Sequence, residues 1–291
     1  MGSPTVNDFP LVSVVVPCYN HAAFVRECIN SILAQSYPNL RLLVIDDGSK
    51  DDSPQILKEM AAEHGFELRI QQNKGLLPTL NDALHEVNGE YFAPFASDDI
   101  MLPDRIALQV AHMQAHPEVA ICGGNIIPID DRGKVLEKKR RRRPARRLDF
   151  ETIFNNILPG APAPSFLMRR GAVIEVGGYD AGLRIEDLTM MLKVCNAGYV
   201  VDVLEDDVAY YRTHAQNTHA NIRFMLDEVL KIYSLFADHR DYEKVCLHHR
   251  KSMFLKAAKL DKPLARELIR QIPLRSWDMK TLRGVTRLYM K

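Results

Sequence analysis

Apolar residues along this chain follow two rhythms. Unbroken runs at Leu11-Val12-Ser13-Val14-Val15-Val16, Leu42-Leu43-Val44-Ile45 and Tyr91 to Phe95 read as buried strands, and Leu68-Arg69-Ile70 as a shorter one. Between them the spacing is helical. Phe24, Val25, Cys28, Ile29, Ile32 and Leu33 share one face; Ile56, Leu57 and Met60 follow Pro54; Leu80, Ala83, Leu84 and Val87 precede the turn Asn88-Gly89. Four strands alternating with helices predict parallel pairing through right-handed crossovers.

The second half is less regular. A helix is predicted to start at Ile100 to Pro103, since proline suits a first helical position. Val119 to Cys122 predicts a strand, and Ile126 to Val135 a hairpin about Asp130-Asp131-Arg132-Gly133. Phe150 to Leu158 reads as a helix, Pro159 to Pro164 as an irregular loop, Phe166-Leu167-Met168 as a strand and Gly177-Gly178-Tyr179-Asp180 as a turn. Glu186-Asp187 opens a helix carrying Leu188, Met191, Leu192 and Cys195. Tyr199 to Val201 and Val208 to Tyr211 read as two strands. From Asn221 onward the pattern is helical, with breaks near His239, Asp261 and Pro273.

The polar clusters fall at strand carboxyl ends, on one edge of the sheet, where ligands bind in open α/β folds. Ser97-Asp98-Asp99 follows the fourth strand. Two carboxylates behind a buried strand are costly unless a cation or hydrogen-bond donors meet them. They suit a divalent metal holding a diphosphate, or a helix N-cap. Asp46, Asp47 and Asp51 follow the second strand and suit either ligand binding or an Asx-type turn. Lys74 lies where a cation would meet a diphosphate, or else is a solvated lysine.

At 291 residues, 46% hydrophobic and 26% charged, the chain fits one large domain or a domain with an appendage. No apolar run reaches the roughly 18 residues of a membrane span, and the first residues carry no secretory pattern. The five cysteines are scattered without a CxxC, which points to a reducing cytoplasm rather than a disulfide or zinc framework. Charge is uneven. Residues 138–147 carry eight positive charges and residues 239–291 carry +9, leaving −16 on the rest of a chain whose net charge is +1.

Eight pieces in order resemble the family 2 glycosyltransferases of GT-A fold: Pro17-Cys18-Tyr19-Asn20, Asp46-Asp47-Gly48-Ser49-Lys50-Asp51, Asn73-Lys74-Gly75, Gly89-Glu90-Tyr91, Ser97-Asp98-Asp99, Gly177-Gly178-Tyr179-Asp180, Glu186-Asp187 and Tyr211-Arg212-Thr213-His214. They run over residues 11–218. The resemblance implies a mostly parallel central sheet flanked by helices, in a catalytic domain over residues 1–218. Its nucleotide-sugar half is about residues 11–123 and its acceptor half about 124–218. A helical appendage over residues 219–291 lies outside the resemblance.

The resemblance also implies roles. Pro17, Tyr19 and Asn20 frame the donor nucleoside, with Tyr19 against the base. Asp47 accepts the base imide N–H, which favours uracil or thymine, and Asp46 orients that loop. Lys74 meets the diphosphate. Asp99 is the main ligand of a Mn²⁺ or Mg²⁺ ion and Asp98 supports the ribose or the ion. His214 is a further metal or diphosphate ligand. Asp187 is the catalytic base, deprotonating the acceptor hydroxyl as it attacks the anomeric carbon with inversion; Glu186 orients the site. Lys193 stands where the family often has arginine, and lysine makes no bidentate contact.

The expected activity is transfer from a UDP- or dTDP-sugar to a glycan or lipid-linked glycan acceptor in bacterial surface polysaccharide or lipopolysaccharide synthesis. The alternative is a non-catalytic sugar-nucleotide-binding or scaffold protein, against which Asp47, Asp99 and Asp187 argue. The basic run lacks interleaved aromatics, and nucleic acid is not the expected partner. Trp277, Leu282, Val285, Leu288 and Tyr289 alternate with Arg275, Lys280, Arg283, Arg287 and Lys291. That pattern suits an interfacial helix on an anionic membrane or a homo-oligomer contact. The expected location is cytoplasmic, peripheral on the inner face of the cytoplasmic membrane.

Overall fold

A computed structural model describes residues 9–213 and 221–289. The first strands are as predicted. β1 (Val12–Cys18), β2 (Leu40–Asp46), β3 (Glu67–Ile70) and β4 (Tyr91–Pro94) alternate with α1 (Val25–Leu33), α2 (Ser53–His64) and α3 (Leu76–Glu86). The strands pair in parallel in the order β3-β2-β1-β4. Alternate β1 residues Val12, Val14 and Val16 pack with Cys28, Ile29 and Ile32 of α1 and Leu57 and Met60 of α2. β-branched side chains at every other position thus meet helices that present one apolar stripe each.

The chain continues through β5 (Ile100–Met101), α4 (Arg105–Ala115), β6 (Val119–Ile129), β7 (Arg146–Leu148), α5 (Phe150–Phe154), β8 (Leu167–Arg169), α6 (Arg170–Glu175), α7 (Glu186–Asn196) and β9 (Val200–Arg212). The sheet reads β3-β2-β1-β4-β8-β6-β9-β5, with β7 added on β9. β8 is antiparallel to β4 and β6, whereas β6 and β9 are parallel.

Four local expectations change. Ile100-Met101 forms no helix start but pairs as β5 with Tyr210 and Ala209, and α4 begins at Arg105. The hairpin at 126–135 is mostly the continuation of β6, closed by one bridge between Ile129 and Val135. The helix expected to reach Leu158 ends at Phe154. The two strands expected at Tyr199–Val201 and Val208–Tyr211 are one strand, β9. The polar stretch Glu205-Asp206-Asp207 that separates them in sequence remains in the strand, where the β6 register shifts between Gly123 and Asn125.

Three of the eight cations of the basic run, Arg140, Arg142 and Arg147, pair with acids of their own unit. β7 runs antiparallel to β9, which sets Arg147 opposite Asp202. The Arg147 guanidinium donates to both Asp202 oxygens at 2.8 Å and lies 2.8 Å from Glu118. Arg140 donates to Asp207 at 2.7 Å, and Arg146 donates to the carbonyls of Pro159 and Gly160 at 2.9 and 3.1 Å.

The chain divides into two compact units. The first contains the sheet. The second takes Phe154–Ile157, Leu183–Ile185 and the C-terminal helices α8 (Ile222–Ser234), α9 (Tyr242–Leu260), α10 (Lys262–Gln271) and α11 (Met279–Tyr289). Asn221 and Asp261 cap α8 and α10 by accepting from the Phe224 and Leu264 amides. Phe254, Ala257, Leu264, Leu268 and Leu288 form this unit's core, with Trp277 and Val285 partly buried against it. Of the five apolar residues expected to face a membrane, Trp277, Val285 and Leu288 pack into this core instead, because the same helical stripe serves the helix contact; Leu282 and Tyr289 stay exposed. Among the described residues no helix is long and apolar enough to cross a membrane. All five cysteines are buried and unpaired.

Candidate active site

Two loops at the carboxyl ends of β1 and β2 are laced together. The Asn20 amide donates to Ser49 Oγ at 2.9 Å, and Asn20 Oδ1 accepts from the Lys50 amide at 2.7 Å. Asn20 adopts φ +56°, a conformation in which asparagine is less strained than most residues. The His21 amide donates to Ser53 Oγ at 3.0 Å, and the Ala22 amide to Asp51 at 2.9 Å. Burial raises the Asp51 pKa, but hydrogen bonds from Ser53 and from the Ala22 amide outweigh it and hold the group below its ordinary value. Pro17 is half-buried, and Tyr19 is 47% exposed.

Asp46 and Asp47 are buried at the end of β2. Asp46 Oδ2 accepts from the Ser49 amide at 3.1 Å, while its Oδ1 is buried with no hydrogen-bond partner among the described residues. Asp47 organises the next loop. Its Oδ1 accepts from Gln71 Nε2 at 2.9 Å and the Lys74 amide at 3.0 Å, and its Oδ2 from the Gly75 amide at 2.8 Å. A carboxylate offers about four acceptor positions, so Asp47 keeps about one for a ligand. Gly48 (φ +75°) cannot be replaced freely, because a Cβ there would lie 2.7 Å from the Asn73 amide. The Lys74 ammonium pairs with Asp82.

Ser97, Asp98 and Asp99 are all buried beyond the end of β4. Ser97 Oγ lies 2.7 Å from His21 Nδ1, which is 4.0 Å from Asp98 Oδ1. Burial and then the neighbouring Asp98 push the Asp99 pKa well above its ordinary value; the Arg212 amide, the Arg212 charge and Arg105 act against that rise. The Arg212 amide donates to Asp99 Oδ1 at 2.8 Å, and Arg212 Nε donates to the Asp98 carbonyl at 2.8 Å.

The other half of the sheet unit presents Glu186 and Asp187, half-buried in the first turn of α7, where the helix dipole favours negative charge. Asp187 Oδ1 accepts from the Leu188 amide at 2.7 Å. Burial, reinforced by Asp187, pushes the Glu186 carboxyl up to about 7. The turn before it is clamped. Asn81 on α3 donates to the Tyr179 carbonyl at 2.6 Å and accepts from the Tyr179 amide at 2.8 Å. Lys193 Nζ donates to the Gly178 carbonyl at 2.6 Å, a single contact that lysine makes without a fork. The Pro159 to Ser165 loop is braced from α4: Arg105 donates to the carbonyls of Pro164 and Phe166 at 2.7 and 2.9 Å, and Gln109 to those of Cys122 and Ser165 at 2.6 and 2.7 Å. Burial lowers the Arg105 pKa to about 9, while Asp99 acts to raise it.

Asn20, Asp46, Asp47 and Lys74 therefore share one laced edge, and Asp98 and Asp99 share a second cluster linked to it through His21 and Ser97. Glu186 and Asp187 stand on a separate helix. His214 lies outside the described residues. Sequence reasoning missed His21, Gln71, Asn81 and Arg105, and it set Arg212 in the piece Tyr211-Arg212-Thr213-His214 without giving it a role. The one signal for them was composition, a polar residue beside an acidic or glycine-rich cluster, and that signal names no partner.

A mixed sheet with β3-β2-β1-β4 in parallel, carrying buried carboxylates at the ends of β2 and β4, with a further acidic pair opening α7, has the architecture of a GT-A nucleotide-sugar enzyme. Residues 13–177 match glycosyl transferase family 2, and the chain belongs to that family. It is a glycosyltransferase. Putative glycosyltransferase EpsE of Bacillus subtilis is 28% identical over 254 residues, 78% of this chain and 82% of that one. Chondroitin synthase of Escherichia coli is 37% identical over 107 residues, 36% of this chain but 16% of that much longer one. Among solved structures, S. aureus TarS 1–349 in complex with UDP-GlcNAc superposes with TM-score 0.66 at 17% identity, over 91% of this chain and 82% of that one. The mannosyltransferase PcManGT of Pyrobaculum calidifontis, in complex with GDP-Man and Mn²⁺, superposes with TM-score 0.63 at 19% identity, over 99% and 90%.

Proposed function

We propose that this enzyme transfers a sugar, with inversion and with a divalent metal, from a UDP- or dTDP-sugar to a glycan or lipid-linked glycan acceptor. The observation that carries the reading is the buried Ser97-Asp98-Asp99 cluster. Two carboxylates in that position call for a cation. Their oxygen donors suit Mg²⁺ or Mn²⁺, which are held by one or two carboxylates together with substrate phosphates. A diphosphate would supply further oxygen ligands; His214, the further ligand expected from the sequence, lies outside the described residues. Asp99 and Asp98 would hold the ion. When bound, Mg²⁺ or Mn²⁺ supplies positive charge to the departing diphosphate.

The chain's own residues do the rest. Tyr19 presents an exposed ring for the base, and the remaining acceptor position of Asp47 suits the imide N–H of a pyrimidine base such as uracil. Asp187 removes the acceptor hydroxyl proton, and Glu186 shapes its surroundings. Similarity to chondroitin synthase supports a glycan acceptor, and the family analogy supports bacterial surface polysaccharide or lipopolysaccharide synthesis. Outward-facing Leu274, Met279 and Tyr289 beside Arg275, Lys280, Arg283 and Arg287 support attachment at the cytoplasmic face of an anionic membrane, where a lipid-linked acceptor lies.

Thermal shift and calorimetric titration with UDP, dTDP and GDP, with Mn²⁺ or with EDTA, test the donor and metal together. Binding of UDP or dTDP with Mn²⁺ that EDTA and Asp99→Ala abolish supports the reading; tight metal-independent binding overturns it. In the same series, Asp187→Asn is expected to keep donor affinity and lower turnover by about 10²- to 10⁴-fold. Near-normal turnover would move the base elsewhere. A chain that binds the nucleotide but turns over no donor sugar would support the non-catalytic alternative.

A further inference from the structure

Arg212 is the last residue of β9 and is 1% exposed. A buried guanidinium is costly unless its donors are met, and here they are met by three separate parts of the chain. Nε donates to the Asp98 carbonyl at 2.8 Å; Nη1 donates to the carbonyls of Asp130 and Asp131, each at 3.2 Å; Nη2 donates to Glu27 Oε2 at 2.6 Å. The guanidinium carbon sits 4.8 Å above the centre of the Phe24 ring. The backbone of the same residue donates to Asp99 Oδ1 at 2.8 Å.

One residue therefore holds both acids of the cluster by different means. It grips Asp98 at the main chain and Asp99 at the side chain. The Arg212 amide donating to Asp99 Oδ1 restrains the rotation of that carboxylate. The guanidinium is braced at its far end by α1 and by the turn after β6, so a displacement of either would be felt at the acids. A lysine in its place would retain the charge but could not span the Asp98 carbonyl, the turn carbonyls and Glu27 together.

We propose that Arg212 is a positioning residue for the metal and diphosphate, setting the orientation of Asp99 and Asp98 through a brace that ends at Glu27. The proposal rests on the reading of Asp99 as a metal ligand. Groups that orient metal ligands from behind typically change metal affinity by about 10- to 100-fold when removed.

The test uses the full chain and titrates Mn²⁺ in the presence of saturating UDP, and UDP in the presence of saturating Mn²⁺, for wild type, Arg212→Lys and Glu27→Gln, with a thermal melt of each. The expected result is an Arg212→Lys protein that folds and needs about 10- to 100-fold more Mn²⁺. In EDTA neither it nor wild type is expected to bind UDP measurably. Glu27 is 56% exposed on its side chain, so Glu27→Gln folds regardless; it is expected to weaken Mn²⁺-dependent UDP binding in the same direction by a smaller factor. A folded Arg212→Lys protein with the wild-type Mn²⁺ requirement overturns the proposal. Should Arg212→Lys fail to fold, an unchanged Mn²⁺ requirement in Glu27→Gln overturns it instead. If wild type itself binds UDP without regard to Mn²⁺, the metal reading fails first and this inference falls with it.

Discussion

Glu186 and Asp187 are neighbours with the same charge. Burial acts on Glu186, and the nearby Asp187 charge adds to that effect. A carboxyl whose folded pKa is about 7, against an ordinary 4.5, keeps its proton in the folded state over pH values at which the unfolded chain has lost it. By linkage, its contribution to stability is fully present below pH 4.5 and is lost as pH rises through about 7. Glu186→Gln is neutral at every pH and should remove that slope. Melting temperatures at pH 5 and pH 8 check this: wild type should fall between them by more than the variant does. Equal falls would mean that Glu186 is solvated and ionised like an ordinary surface carboxylate.

In the second unit two helices approach closely at a glycine. Gly284 on α11 faces Phe254 on α9, and a Cβ at Gly284 would lie 2.3 Å from the Phe254 ring. Alanine would gain about 1 kcal/mol in helix propensity, but forcing the two helices apart typically costs about 1–3 kcal/mol. Urea denaturation of Gly284→Ala should therefore show a protein no more stable than wild type and less stable by up to about 2 kcal/mol. A stabilised variant would show that α9 and α11 separate at little cost. The same scale explains what sequence could and could not reveal. β1, β2 and β4 were legible because β-branched or aromatic runs end abruptly in polar loops. β9 was not, because Glu205 and Asp206 project outward from a continuous strand and interrupt its apolar rhythm. The acidic clusters at Asp46-Asp47 and Ser97-Asp98-Asp99 could be read locally. Arg212 could not, because its partners stand from 81 to 185 residues away and a charged residue at a strand end gives no sign of burial.

Across the whole molecule the two basic segments have different fates. In residues 138–147, Arg140, Arg142 and Arg147 pair with Asp207, Glu205, Asp202 and Glu118 of their own unit. The C-terminal residues 239–291 retain +9. There Leu274, Met279 and Tyr289 are 78, 77 and 71% exposed, beside four cations between Arg275 and Arg287. Each cation near an anionic leaflet contributes about 1 kcal/mol, enough for reversible attachment. The full-length protein is expected to float with phosphatidylglycerol vesicles at low salt and to be released at high salt. Met279→Glu with Tyr289→Glu, both at exposed positions, should abolish flotation without unfolding the protein. A wild-type protein that stays out of the vesicle fraction at low salt would leave the helices to structural or oligomeric duty.

The fate of the thiols has a practical consequence. Burial raises the pKa of Cys18, Cys28, Cys122, Cys195 and Cys246 alike, and it is the thiolate that reacts with maleimides and similar reagents. The folded chain is accordingly a blank background for labelling. A single cysteine introduced on the outer face of α11 would carry a fluorophore or spin label alone, with all five native cysteines left in place and the core they fill undisturbed.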